Sequence, residues 1–145
     1  HHIKIAEELN KPLFLHERSA AEDFIARFKK HKDICEKSVV HCFTGDKETL
    51  KKYIDMGFYI GITGWICDDK RGKELREAVK YIPLDKLMIE TDAPYLTPKN
   101  VSGLDRTNLP QNIKYVAEEL AKHIKINSET LIEQVKENTE NFFGI

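Results

Sequence analysis

His16, His41 and Asp92 are the side chains whose types and placement best suit chemistry. Each closes a short apolar run: Leu13-Phe14-Leu15 before His16, Ser38-Val39-Val40 before His41, and Leu87-Met88-Ile89 before Glu90-Thr91-Asp92. A short apolar run that gives way to polar residues reads as a buried strand entering a loop. If the strands are parallel, all three side chains stand at the C-terminal edge of one sheet, where α/β proteins build their sites. Two imidazoles and a carboxylate offer mixed nitrogen and oxygen ligation. That set suits zinc, manganese or iron, and suits magnesium when carboxylates and waters complete the shell. One strand-end histidine is as well explained by a hydrogen bond to a neighbouring strand, but three ligand types at one structural position favour a metal cluster.

Further candidates surround these three. Glu90 lies two residues before Asp92, so on a strand they share a face; Glu90 is then an additional ligand or a group that orients one, or else a salt-bridge partner of a nearby Lys or Arg. Arg18 follows His16 and could grip a phosphate bidentately or clamp a carboxylate; it is assigned to the site. The stretch Gly61-Ile62-Thr63-Gly64-Trp65-Ile66-Cys67-Asp68 is rich in glycine but carries neither GxGxxG nor a phosphate loop, so its glycines point to close backbone packing. Trp65 within it is either a core residue or a stacking platform for a nucleobase. In His41-Cys42-Phe43-Thr44-Gly45, Gly45 can take a positive φ and leave amides near the site. Cys42 reads as a packing residue rather than a nucleophile, because neighbours on a strand point to opposite faces. His31 and His123 lie toward helix ends, where an exposed histidine complements the dipole. His1 and His2 resemble a tag or a chain start and lack HxH spacing.

Alternating elements must hold these residues. Ile3 to Leu9 has helical spacing and stops at Asn10-Lys11-Pro12. Ser19 is expected to cap a helix reaching Lys30, with Glu22 completing a capping box. Asp46 caps a helix from Glu48 to Met56 that ends at Gly57, and Phe58 to Ile62 is a strand. Asp69 or Lys70 to Tyr81 is helical, and Leu87 to Ile89 is the fourth strand. A loop from Ala93 to Asn108 follows, then Pro110 at the first position of a helix ending near Ala121, and a last helix from Ser128 to Phe142. Short buried strands each followed by a helix imply a parallel sheet. A doubly wound sheet and a segment of a (βα)8 barrel both fit, since a closed barrel takes about 250 residues. No linker or repeat divides residues 1–145, which read as one domain.

Composition narrows the function classes. The chain has 145 residues with 23 basic and 24 acidic side chains, a net charge of -1, so no basic face advertises a polyanion. Attraction to one would have to be local, from a bound cation and a few nearby Lys or Arg. The 3 cysteines form no CxxC pair and are expected to be free thiols in a reducing compartment. There is no long apolar run and no secretory leader pattern, so a cytoplasmic protein is expected, or a nuclear one in a eukaryote, with no membrane partner.

The segments LHERSAAEDF (15–24), VVHCFTG (39–45), YIGITGWICDDKRGKELR (59–76) and LMIETDAPYLTP (87–98) resemble the TatD family of metal-dependent deoxyribonucleases. The resemblance covers nearly the whole chain. It implies the C-terminal half, strands five to eight, of a (βα)8 metallohydrolase barrel, with the N-terminal half absent. It implies that His16, His41 and Asp92 match that family's ligands from strands five, six and eight, with Asp92 also the proton-handling catalytic carboxylate. It further implies one or two divalent ions, Mg2+ before Mn2+ or Zn2+, and 3′ to 5′ exonuclease action on DNA, single strands preferred. The chain departs from the family in two ways: the HxH and bridging Glu of the first strands are missing, and the family's Asn-Glu-Pro reads Asn108-Leu109-Pro110. Hydrolysis of another ester or amide, such as an aminoacyl ester, suits the same ligands. A non-enzymatic half-barrel that binds a partner half or a second copy through strands 13–15 and 87–91 is the remaining reading.

Overall fold

The computed structural model describes residues 1–145. Four parallel strands form one sheet in the order β1 (Phe14–His16), β2 (Val39–His41), β3 (Tyr59–Ile62), β4 (Leu87–Ile89). Sequence neighbours are spatial neighbours throughout, which is barrel-like winding and excludes the strand reversal of a doubly wound sheet. Helices α1 (His2–Leu9), α2 (Ala21–Phe28), α3 (Lys32–Cys35), α4 (Lys47–Asp55), α5 (Lys73–Ala78), α6 (Ile113–Ile124) and α7 (Ser128–Phe143) make up the rest of the regular structure. No helix is long and apolar enough to cross a membrane.

Register assigns the side chains to faces. His16 pairs with His41, Val39 with Tyr59, and Gly61 with Met88. Alternate residues therefore point oppositely: Val40, Ile60, Ile62 and Leu87 enter the main core beneath the helices. Their neighbours Phe14, His16, His41 and Gly61 share the other face. An aromatic cluster anchors the helices to the first of these faces, with Phe24 and Phe28 rings 4.7 Å apart and Phe58 5.4 Å from Phe28.

The helix ends show which local signals operate. Asp46 Oδ1 accepts the Thr49 N–H and starts α4, as its sequence predicts. Gly57, at φ 94°, ends the turn that follows. The expected Ser19 cap with its Glu22 partner does not form. Ser19 sits in the left-handed region at φ 56°, and Glu17 Oε1 accepts the Ala20 N–H at 2.6 Å instead. The longer carboxylate reaches over the turn, so α2 begins at Ala21 and closes at Phe28 rather than Lys30.

The helix expected from 69 or 70 to 81 is also shorter. Asp68 Oδ1 accepts the Lys70 and Arg71 N–H groups, both at 3.0 Å, and curls residues 68–72 into a turn, so α5 starts only at Lys73. Pro110 opens a 3-10 turn rather than α6 itself, and α6 runs on to Ile124. The last helix starts at Ser128, as expected, and Asn127 caps it. All three cysteines are buried free thiols.

Candidate metal centre

The centre is assembled around one imidazole. His41 closes β2, and the parallel register sets it beside His16 at the end of β1, with ring centroids 5.9 Å apart. From β4 the chain sends two carboxylates to opposite sides of the His41 ring. Glu90 Oε2 lies 2.8 Å from Nδ1, and Asp92 Oδ1 lies 3.3 Å from Nε2. His41, Glu90 and Asp92 are all partly buried, whereas His16 is exposed at the rim. Asp92, His41 and Cys42 can bring one donor atom each within 4.8 Å of one another. His16 stands outside that tighter group, one strand away in the same cleft.

Glu90 holds the centre in place. Its Oε1 accepts the Cys42 N–H at 2.6 Å while Oε2 faces His41, so one carboxylate fixes both the ring and the backbone that follows it. Gly61 makes room for it: a Cβ at that position would overlap the Glu90 carboxylate. The close packing expected of this glycine-rich stretch is thus realised, and its purpose is to admit an acid. Gly64 does the same for the carbonyl of Leu96.

Cys42 corrects two expectations. It leaves the strand in the left-handed region at φ 50°, a strained conformation for a non-glycine residue, and this turn brings its thiol to the same side as His41 rather than the opposite one. The positive φ expected at Gly45 falls on Cys42 instead. Gly45 is small for a different reason, since a Cβ there would meet the Phe43 ring at 2.9 Å. The Cys42 thiol is pushed up to about 12, first by burial and then by the charges of Asp92 and Glu90, against a lowering contact with Thr63. It stays protonated, so it is not an activated nucleophile.

The donor set fits a divalent cation. His41 Nδ1 is buried and makes no aligned hydrogen bond, because Glu90 Oε2 lies close but off the line of an N–H. A ring nitrogen without an aligned hydrogen bond, a second imidazole on the neighbouring strand and a carboxylate on either side of the His41 ring are the nitrogen and oxygen donors such ions take.

Arg18, Trp65 and Arg71 line the cleft of about 400 Å³ that also contains His16 and Asp92. Arg18 forms no ion pair with Asp or Glu, so the carboxylate-clamp alternative does not hold. Sequence reasoning missed why Arg18 is so placed. Glu17 beside it accepts the Ala20 N–H at 2.6 Å and the Tyr53 O–H at 2.8 Å, and so orders the loop that carries Arg18. The alternation after His16 was the available signal. Asn108 was also missed: buried, it donates to the Tyr95 carbonyl at 2.8 Å and accepts from Asn112 at 2.9 Å, pinning the loop after Asp92. Leu109 is exposed and lines neither this cleft nor its neighbour. His31 and His123 are not dipole-complementing residues alone, for each contacts a glutamate, Glu7 at 2.6 Å and Glu119 at 2.7 Å.

A family model described as TatD related DNase matches residues 1–144. The 3′-5′ ssDNA/RNA exonuclease TatD of Citrobacter koseri is 41% identical over 145 residues, covering 99% of this chain and 56% of that protein. Its Escherichia coli K12 counterpart is 39% identical over the same length, with the same coverage. Among solved structures, a TatD homologue from Escherichia coli K12 superposes with a TM-score of 0.87 at 25% identity, over 99% of this chain and 54% of that one. A TatD family hydrolase from Entamoeba histolytica gives 0.82 at 25% identity, over 97% and 54%. The chain spans about half the length of the relatives it matches. Its sheet, four consecutive parallel βα units, corresponds to strands five to eight of a (βα)8 barrel.

Proposed function

The chain belongs to the family of TatD related DNases, and from that membership and the geometry around His41 we propose that the protein hydrolyses phosphodiester bonds of nucleic acid with the help of a divalent cation. His41, His16 and Asp92 hold the cation, and Glu90 fixes the His41 ring and the Cys42 amide. The observation that carries this reading is the partly buried His41 imidazole, set between two carboxylates, with a buried Nδ1 that makes no aligned hydrogen bond. A bound cation would supply Lewis acidity and positive charge for the developing phosphoryl oxyanion.

This chain's own residues supply the rest. Asp92 faces the cleft and accepts the proton of the attacking water. Arg18 and Arg71, across the same cleft, neutralise and orient the phosphate. The remaining length present in the relatives completes the ligand set, and residues 1–145 form the single C-terminal part of that domain. Mg2+ suits the site when further carboxylates and waters complete the shell around the two imidazoles and Asp92, and single-stranded DNA is the substrate, degraded from the 3′ end, by similarity to the exonucleases named above. The test uses the full-length protein with Mg2+ or Mn2+ and a single-stranded oligonucleotide. Nucleotide release that depends on the ion and falls at least a hundredfold in Asp92→Asn is expected; release that persists in EDTA or in this variant refutes the proposal.

A further inference from the structure

A second chamber adjoins the cleft. It has a volume of about 580 Å³ and shares Trp65, Arg71 and Leu96 with the cleft as a common wall. That volume lies in the range of ligand pockets, about 300–1,000 Å³. Its far side carries Lys99 and Arg106.

The chamber is built by specific local features. Gly64 lets the Leu96 carbonyl approach, which lays the loop after Asp92 against Trp65. Gly72 lets the chain curl, since a Cβ there would come within 2.6 Å of the Trp65 carbonyl and 2.7 Å of that of Asp68. Arg76 donates to the carbonyls of Ile66 and Asp68 at 3.1 Å and 3.0 Å and fixes the floor. Asp68 is occupied with Lys99 Nζ at 2.7 Å, with two backbone amides and, more loosely, with Arg71 Nε at 3.8 Å, which leaves the exposed end of the Arg71 guanidinium open. The Arg106 side chain has no partner within the chain, and the Arg71 guanidinium lies 5.1 Å from the centroid of the Trp65 ring. In a chain of net charge -1, a tryptophan with three basic side chains against two acidic ones, Asp68 and Asp105, around one chamber leaves a local excess of positive charge.

We infer that this chamber carries a single-stranded substrate onward from the cleft, with a base against Trp65 and backbone phosphates on Arg71 and Arg106. The inference rests on the nuclease reading above. Aromatic faces stack on any base, and guanidinium groups track phosphates, so such a surface grips a strand without reading its sequence. Lys99 is held by Asp68 and serves mainly to shape the wall.

The test separates this inference from the nuclease reading by removing the metal. Full-length protein in EDTA is titrated with fluorescein-labelled thymidine dinucleotide and hexanucleotide, followed by anisotropy at several salt concentrations. The wild type is expected to bind the hexanucleotide about tenfold or more tightly than the dinucleotide. Arg106→Gln should bring that ratio near unity and lower the slope of log K against log salt by about 0.7. Trp65→Ala should weaken hexanucleotide binding about tenfold, and Trp65→Phe should restore most of it. Lys30→Gln, in the exposed turn after α2 and outside both cavities, controls for net charge. A wild type indifferent to length, or a ratio and slope unchanged in both Arg106→Gln and Trp65→Ala, overturns the inference. A protein active with Mg2+ but unaffected by these variants leaves the nuclease reading standing and this one refuted.

Discussion

The absence of a side chain at Gly61 is what lets the Glu90 carboxylate reach both His41 and the Cys42 amide. Gly61→Ala should therefore displace Glu90, costing about 1–3 kcal/mol in urea denaturation by overpacking. It should also weaken binding of Mn2+ to the full-length protein about 10- to 100-fold in calorimetry, the range found when partners that orient ligands are removed. Unchanged metal affinity would separate Glu90 from the centre. A second residue-scale effect lies at Asp68, whose carboxyl is held well below its ordinary 3.8, at about 2, first by the hydrogen bond from Lys99 and then by the amides of Arg71 and Lys70. Because the folded value is the lower one, Asp68 stabilises the fold fully above about pH 4 and progressively loses that contribution as the pH falls toward 2. Urea midpoints measured between pH 6 and pH 3 should show this acid limb, and Asp68→Asn should flatten it. His41 and Asp92 were legible as strand-end residues from the sequence. The αL turn at Cys42 was not, because it is imposed by Glu90, 48 positions away.

Elements were legible where a local signal was unopposed. Strands β1 to β4 follow from short apolar runs, and α4 follows from the Asp46 cap, whose removal in Asp46→Ala should cost about 1 kcal/mol. The start of α2 was misread because Ser19 and Glu17 compete for the same amides, and the glutamate wins while Ser19 turns left-handed. Ser19→Ala should accordingly shift the denaturation midpoint far less than Asp46→Ala. Nothing local reveals how α7 attaches. Buried Asn138 donates to the carbonyls of Leu84 and Leu87 at 2.6 Å and 2.7 Å, tying α7 to the strand that delivers Glu90 and Asp92. A polar residue on a helix face gives no hint of a carbonyl pair more than fifty positions earlier. Asn138→Leu removes both of these bonds, leaving the Leu84 carbonyl with only the Leu87 N–H, and about 2–3 kcal/mol of stability should be lost in thermal or urea unfolding.

For the whole molecule, the decisive feature is a parallel sheet with two open margins. Inside the sheet every strand is paired, but β1 and β4 each have only one neighbour. Phe14 on β1 is 55% exposed, although its ring lies 4.8 Å from that of His41 on the face that carries the candidate metal centre. Unpaired strand edges beside an exposed aromatic recruit other chains. The relatives are nearly twice as long, and a barrel closed by their additional length would cover both margins and Phe14 together. The isolated 145-residue chain should therefore self-associate with rising concentration in light scattering, and Phe14→Lys should shift it toward monomer. A chain of the relatives' length should not show this behaviour, because a closed barrel pairs both edges within one chain. A 145-residue chain that stays monomeric across the concentration range and unfolds in one cooperative transition would mean that the margins are stable in water, and that the half-barrel needs no partner to persist.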